Sequence, residues 1–312
     1  MKMNINHILV TGRLYLELEP LLRGRTDKQF RFIQESEVNT ADYEWADAFV
    51  GFRPAAQFRP EGLKWIHALG AGVDAFLQHP AWNPNVLLTR TIGAFGQQIS
   101  EYCLSCILAD AQHRDTFARQ QQMKSWGPVP PRSLRGQRAV ILGTGTIGQE
   151  VARSLEFFGM EVTGVSRGGS RKAHFVRNVT MEASGEYLET ADWVINTLPL
   201  TKETESVVNE AFFARMKQCG FINVGRGASV CPNALLNAVD QGQVRVAVLD
   251  VFEEEPLPVH SPLWSHAGIR ITPHISAVTG PEEAARDFLK VLEGVEQGEL
   301  SAEHKVNLQL GY

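Results

Sequence analysis

From residue 139 onward, short apolar runs alternate with longer amphipathic stretches. Residues 139–142, 161–165, 193–197, 221–224, 246–249 and 270–272 read as buried strands with helical segments between them. That alternation predicts a parallel sheet covered by helices on both faces. Residues 1 to about 95 carry shorter apolar segments, such as Ile8-Leu9-Val10 and residues 63–69, broken by Gly, Pro and charge clusters, and predict a smaller α/β unit. Between the two, Ile99, Tyr102, Cys103, Cys106, Ile107 and Ala111 recur at helical spacing. They predict one long helix over residues 97–122, stopped by Trp126-Gly127-Pro128-Val129-Pro130-Pro131. Residues 281–294 read as a last helix, followed by a polar tail. No internal repeat interrupts this order.

A length of 312 residues suits one large or two ordinary domains. Ordinary hydrophobic and charged fractions, 44% and 21%, exclude a disordered or fibrous chain. The net charge of −5 offers no basic field for nucleic acid or anionic lipid. No apolar run approaches a membrane span, and Met1-Lys2-Met3-Asn4-Ile5-Asn6 lacks the apolar core of a signal peptide. Four cysteines are too few for a disulfide scaffold, so a reducing cytoplasm is expected. Cys103 and Cys106 have C-x-x-C spacing but no second metal-ligand pair, so they are expected to be packed thiols, with no metal site.

Chemistry enters at Val140-Ile141-Leu142-Gly143-Thr144-Gly145-Thr146-Ile147-Gly148, a G-x-G-x-x-G turn after an apolar strand and at the start of an amphipathic segment. Gly143 permits a tight turn, Gly145 lets backbone approach a pyrophosphate, and Gly148 allows close helix–strand packing. The helix N-terminus supplies N–H groups and positive dipole for the phosphates. An NAD site would place a carboxylate at the end of the next strand. Here the chain reads Val165-Ser166-Arg167-Gly168-Gly169-Ser170-Arg171-Lys172, with cations and serines suited to a 2′-phosphate, so NADP is expected ahead of NAD.

Three later strand ends carry polar chemistry: Asn223-Val224-Gly225-Arg226-Gly227, then Leu249-Asp250-Val251-Phe252-Glu253-Glu254-Glu255-Pro256, then Thr272-Pro273-His274. Singly each has a bland reading; together, behind a dinucleotide turn, they supply Arg, Glu and His where ligands bind in open α/β sheets. With Asn196-Thr197-Leu198-Pro199-Leu200-Thr201 in its place, the order and spacing resemble the D-isomer-specific 2-hydroxyacid dehydrogenase family. Leu69-Gly70-Ala71-Gly72-Val73-Asp74, Gly96-Gln97-Gln98-Ile99-Ser100-Glu101-Tyr102 and the terminal Gly311-Tyr312 are most similar to its glyoxylate/hydroxypyruvate reductase A branch.

The resemblance implies two doubly wound parallel-sheet domains. A Rossmann cofactor domain (residues 101–286) would be inserted into a flavodoxin-like substrate domain (residues 1–100 and 287–312), with an interdomain cleft. It implies reduction of a small 2-oxo acid, with Arg226 binding the substrate, His274 as general acid and Glu255 holding the imidazole. Gly143, Thr144, Gly145, Thr146, Ile147, Gly148, Ser166, Arg167, Leu198, Pro199, Val224, Gly225 and Asp250 would contact the cofactor, Asp250 in a supporting role. Ala71, Gly72 and Val73 would bind the substrate carboxylate through backbone. A homodimer is implied as well. Family members generally carry an Asn where this chain has Thr91-Ile92-Gly93, which removes a polar substrate contact from that stretch. Trp45 and Trp65 are candidate pocket walls. A larger acid such as 3-phosphoglycerate would need cations beyond Arg226, and the sequence shows no cluster of them; a nicotinamide-sensing corepressor is the alternative from another class.

Overall fold

The computed structural model describes residues 2–311; Met1 and Tyr312, named above in the opening hexapeptide and the terminal dipeptide, lie outside the described residues. Two compact units are present: one runs through Phe95 and resumes at Thr279, the other is Gly96–Val278. In the first, β1 (His7–Val10), β2 (Gln29–Phe32), β3 (Ala48–Gly51), β4 (Trp65–Ala68) and β5 (Leu87–Arg90) form a parallel sheet ordered β2-β1-β3-β4-β5. Its connections include α1 (Tyr15–Leu22), α2 (Thr40–Trp45) and α3 (Asp74–Leu77). In the second, α4 (Phe95–Ala111) and α5 (Arg114–Gln122) precede β6 (Arg138–Leu142), β7 (Glu161–Val165), β8 (Arg177–Val179), β9 (Trp193–Asn196), β10 (Cys219–Asn223), β11 (Val244–Leu249) and β12 (Ile269–Ile271). These seven strands are parallel, in the order β12-β11-β10-β9-β6-β7-β8. Helices α6 (Thr146–Phe157), α7 (Gly185–Leu188), α8 (Glu210–Phe213) and α9 (Pro232–Asp240) link them, and α10 (Pro281–Gln297) belongs to the first unit.

The period-2 geometry of strands puts alternate side chains into separate cores on the two faces of each sheet. Ile8 and Val10 pack with Leu18, Ala284, Ala285 and Phe288, while Leu9 joins Phe49, Ile66 and Phe76. In the second sheet Val140 and Leu142 join Phe213 and Phe221, and Ala139 and Ile141 join Ile107 and Leu155. Burial on both faces explains why these strands read as continuous apolar runs.

The unit edges at 95/96 and 278/279 differ from the expected 100/101 and 286/287. Ala284, Ala285 and Phe288 share a core with α1, so α10 belongs whole to the first unit, and an edge at 286/287 would cut it. The expected single helix over 97–122 is two helices. The apolar repeat itself ends at Ala111, His113 takes φ 51°, and α5 has no fully buried residue, so no buried apolar face continues the helix beyond Ala111. Among the described residues no helix is long and apolar enough to cross a membrane.

Each sheet has a switch point, between β1 and β3 in the first and between β6 and β9 in the second, where connections leave in opposite directions. Ligands in open α/β sheets bind outside the carboxyl ends of the strands at such points.

Candidate active site

At the second unit's switch point, β6 delivers the glycine turn. Gly143 has φ 99°, and a Cβ there would lie 2.7 Å from Thr197 Oγ1. A Cβ on Gly148 would lie 2.0 Å from the Gly143 carbonyl oxygen, so α6 sits closer to the strand than a side chain allows. Gly145 meets nothing within 4 Å and caps α6 with no side-chain hydrogen bond, leaving the first-turn N–H groups open to a ligand. After β7, Ser166 is half-buried, whereas Arg167, Arg171 and Lys172 are exposed. The chemistry of this donor set, bare helix amides beside a trio of cations, fits a dinucleotide with an additional phosphate.

The next strands position Arg226 through a buried amide network that the sequence did not reveal. Asn196, at the end of β9, donates to Asn223 Oδ1 at 2.9 Å and to Ser229 Oγ at 2.7 Å. Asn223 Nδ2 and the Ser229 hydroxyl both donate to the Arg226 carbonyl, at 3.2 and 2.6 Å. Asn223 Oδ1 also accepts from the Gly225 N–H at 3.2 Å, and Asn196 Oδ1 from the Leu198 N–H at 3.2 Å. Thus Leu198-Pro199 and Val224-Gly225 are tied to the same network as Arg226. A Cβ on Gly225 would lie 2.6 Å from the Leu198 oxygen, and on Gly227 1.8 Å from the Phe252 carbonyl carbon. The Gly227 approach seats the Arg226 turn against the acidic segment after β11. Arg226 itself is extended and half-buried, with Nη1 donating to the Gly225 carbonyl at 2.8 Å.

His274 Nδ1 donates to Glu255 Oε2 at 2.7 Å, and Glu255 Oε1 accepts the Phe252 N–H at 2.9 Å. Partial burial pushes the Glu255 carboxyl up. The hydrogen bonds from His274 and Phe252 and the charges of His274 and Arg226 outweigh it, and the group ends below the usual carboxylate range. With Nδ1 engaged, Nε2 is the ring nitrogen left to exchange a proton. His274 has φ 54°, and its N–H donates to the Asp250 carbonyl at 2.8 Å. Asp250 is fully buried. Its Oδ1 accepts from the Thr272 hydroxyl at 2.5 Å and the Ile275 N–H at 2.9 Å, and its Oδ2 from the Ser276 N–H at 2.8 Å. Both oxygens of Asp250 therefore serve the His274 loop. Because the Thr272 proton goes to Asp250, the Tyr102 hydroxyl is the donor in its 2.6 Å contact with Thr272.

In the first unit, Ala71, Gly72 and Val73 lie between β4 and α3, and Arg90 Nη1 donates to the Ala71 carbonyl at 3.3 Å. In a trans peptide C=O and N–H point oppositely, so this bond directs the Gly72 N–H away from Arg90. The ring contacts of both tryptophans lie elsewhere. Trp65 is a core residue stacked on Phe288 at 5.5 Å, with Nε1 donating to Thr89. Trp45 lies at the opposite edge of the sheet, against His7 and beneath the Arg31 guanidinium. The Thr91-Ile92-Gly93 stretch is tied to α10: Ile92 N–H donates to Asp287, and Ala94 N–H to Glu283. Cys103 is fully buried with its thiol pushed well up by burial, and Cys106 is raised for the same reason; neither offers a thiolate.

Residues 104–276 match the family described as D-isomer specific 2-hydroxyacid dehydrogenase, NAD binding domain. The chain is 35% identical over 294 residues to glyoxylate/hydroxypyruvate reductase A of Serratia proteamaculans, covering 91% of this chain and 92% of that relative. It is 29% identical to a D-isomer specific 2-hydroxyacid dehydrogenase from Xanthobacter autotrophicus Py2, solved in complex with NADPH and MES, at a TM-score of 0.88 over 99% of this chain and 100% of that one. The NADPH-dependent glyoxylate/hydroxypyruvate reductase of Sinorhizobium meliloti, solved with NADP and sulfate, is 26% identical at a TM-score of 0.85, over 98% and 100% of the two chains. The chain belongs to the D-isomer specific 2-hydroxyacid dehydrogenase family, in its glyoxylate/hydroxypyruvate reductase A branch.

Proposed function

We propose that this NAD(P)-dependent 2-hydroxyacid dehydrogenase reduces glyoxylate or hydroxypyruvate to the 2-hydroxy acid and prefers NADPH. The observation that carries the reading is the Glu255–His274 pair, joined at 2.7 Å and seated with the Arg226 turn at the carboxyl edge of a dinucleotide-binding sheet. The turn from Gly143 to Gly148 would hold the pyrophosphate, Ser166 and Arg167 the 2′-phosphate, and Leu198, Pro199, Val224 and Gly225 the nicotinamide end. Asp250 would act there only through the loops it anchors. When bound, the reduced nicotinamide supplies a hydride.

The chain's own residues do the rest. Arg226 presents a planar fork to the 2-oxo acid, pairing with its carboxylate and polarising the carbonyl. Ala71, Gly72 and Val73 would offer backbone donors to a substrate carboxylate. The oxygen gains negative charge as the carbonyl carbon is reduced, and His274 delivers a proton to it from Nε2. Glu255 holds the imidazole in the orientation this needs, through the 2.7 Å bond to Nδ1.

Cofactor choice is tested by NADPH and NADH oxidation with glyoxylate and hydroxypyruvate. The wild type is expected to favour NADPH, and Arg167→Ala to raise KM for NADPH about tenfold while changing KM for NADH much less. Equal KM changes for the two cofactors would remove Arg167 from the phosphate site.

The second unit is also proposed to join two copies into a homodimer. Helix α5 has no fully buried residue, and Met123 and Trp126 beyond it are 75% and 99% exposed. Light scattering is expected to give twice the chain mass for the wild type and a lower mass for Trp126→Glu. A wild-type monomer would refute the pairing.

A further inference from the structure

The first unit's sheet places a cation beside the substrate turn that sequence order alone does not suggest. Thr11-Gly12-Arg13 leaves the carboxyl end of β1, where β3 delivers Phe52 and β4 the turn at residues 70–73. The Phe52 ring is the wall they share: a Cβ on Gly12 would lie 3.1 Å from it and on Gly70 3.7 Å. Arg13 stands over this ring, its guanidinium carbon 4.6 Å from the centroid. No carboxylate pairs with Arg13 among the described residues, whereas neighbouring Arg53 is held by Glu35. Partial burial pushes the Arg13 pKa down, and no acid pulls it back. Beside it, fully buried Thr11 has a hydroxyl without a partner.

Stacking occupies the face of a guanidinium and leaves its N–H edge free for a bidentate anion. A partly desolvated cation attracts an anion more strongly than one in bulk water. We propose that Arg13, seated on Phe52, recognises a second anionic group on the substrate. The site then binds 2-oxo acids with a distal carboxylate or phosphate more tightly than those with a neutral tail. This inference rests on the reductase reading above and extends its substrate class.

The test compares KM for hydroxypyruvate, phosphohydroxypyruvate, oxaloacetate and 2-oxoglutarate at saturating NADPH, in wild type, Arg13→Ala and Arg13→Lys. Wild-type KM is expected to be lower for the dianions than for hydroxypyruvate. Arg13→Ala is expected to raise KM for the dianions about tenfold more than for hydroxypyruvate, with Arg13→Lys in between because it keeps charge but loses the fork. The dicarboxylates and the phosphorylated acid separate the two anion classes. Equal changes for all acids, or a wild-type KM lower for hydroxypyruvate, would overturn the subsite and leave the reductase standing. If no acid turns over, thermal unfolding with 2-oxoglutarate against pyruvate decides. An Arg13-dependent rise in Tm keeps the subsite and discards the reductase reading, and no rise discards both.

Discussion

His274→Ala is expected to bind NADPH as the wild type does and to lose about 10²- to 10⁴-fold in kcat, the range a positioned general acid contributes. The loss falls on turnover because the His274 side chain hydrogen-bonds to Glu255 while the loop is held by other atoms. The Asp250 carboxylate binds the loop through Thr272, Ile275 and Ser276, and the His274 N–H is backbone. Removing the ring therefore removes the proton donor without releasing the loop. Glu255 extends the prediction to pH. Its pKa is lowered in the folded protein, so its charge is present above the ordinary carboxylate range and is lost only as pH falls through the lowered value. Glu255→Gln is accordingly expected to reduce kcat across neutral pH, where the wild-type partner is ionised. Unchanged kcat in His274→Ala at saturating substrate would remove His274 from the chemistry.

Arg226→Ala is expected to lower kcat/KM about 10²- to 10⁴-fold, from the loss of two charge-assisted hydrogen bonds at about 1.5–3 kcal/mol each and tenfold per 1.4 kcal/mol. Most of the change is expected in KM, since the substrate carboxylate loses its fork. Arg226→Lys is expected to recover little, because an ammonium cannot replace a bidentate guanidinium. Thermal stability is expected to hold. The Asn223 amide and the Ser229 hydroxyl, both bonded to Asn196, grip the Arg226 turn through its backbone carbonyl, which Arg226→Ala keeps. Kinetic constants and a thermal unfolding curve on the same preparation check both halves. A kcat/KM within twofold of wild type would show that substrate is held elsewhere.

The strands that carry the site were legible because they are buried on both faces and read as apolar runs, as 161–165 and β7 show. The edge strands β2 and β8 were not. Gln29–Phe32 is only partly buried, and Arg177–Val179 is three residues long, so neither leaves an apolar run. The glycine turn was legible for a related reason: only glycine fits where a Cβ would meet Thr197 or the Gly143 carbonyl. What sequence could not supply was partnership between distant polar residues. Asn196 ends β9, Asn223 ends β10 and Ser229 lies in the turn beyond it, and the register of β9 against β10, with Asn196 beside Asn223, brings them together. Asp250 had the look of a ligand-facing carboxylate, yet its burial and the Thr272, Ile275 and Ser276 donors turn it into the anchor of the His274 loop. Trp65 shows the converse error available to sequence, since an aromatic that looked suited to a pocket wall stacks on Phe288 inside the core.

The most direct measurement is oxidation of NADPH by purified wild-type protein supplied with glyoxylate or hydroxypyruvate, run beside the same assay with NADH. Steady turnover of at least one acid, faster with NADPH, is the predicted result. Tight NADPH binding with no turnover of either acid would contradict the assignment of Arg226, Glu255 and His274 as the machinery of a small 2-oxo acid reductase.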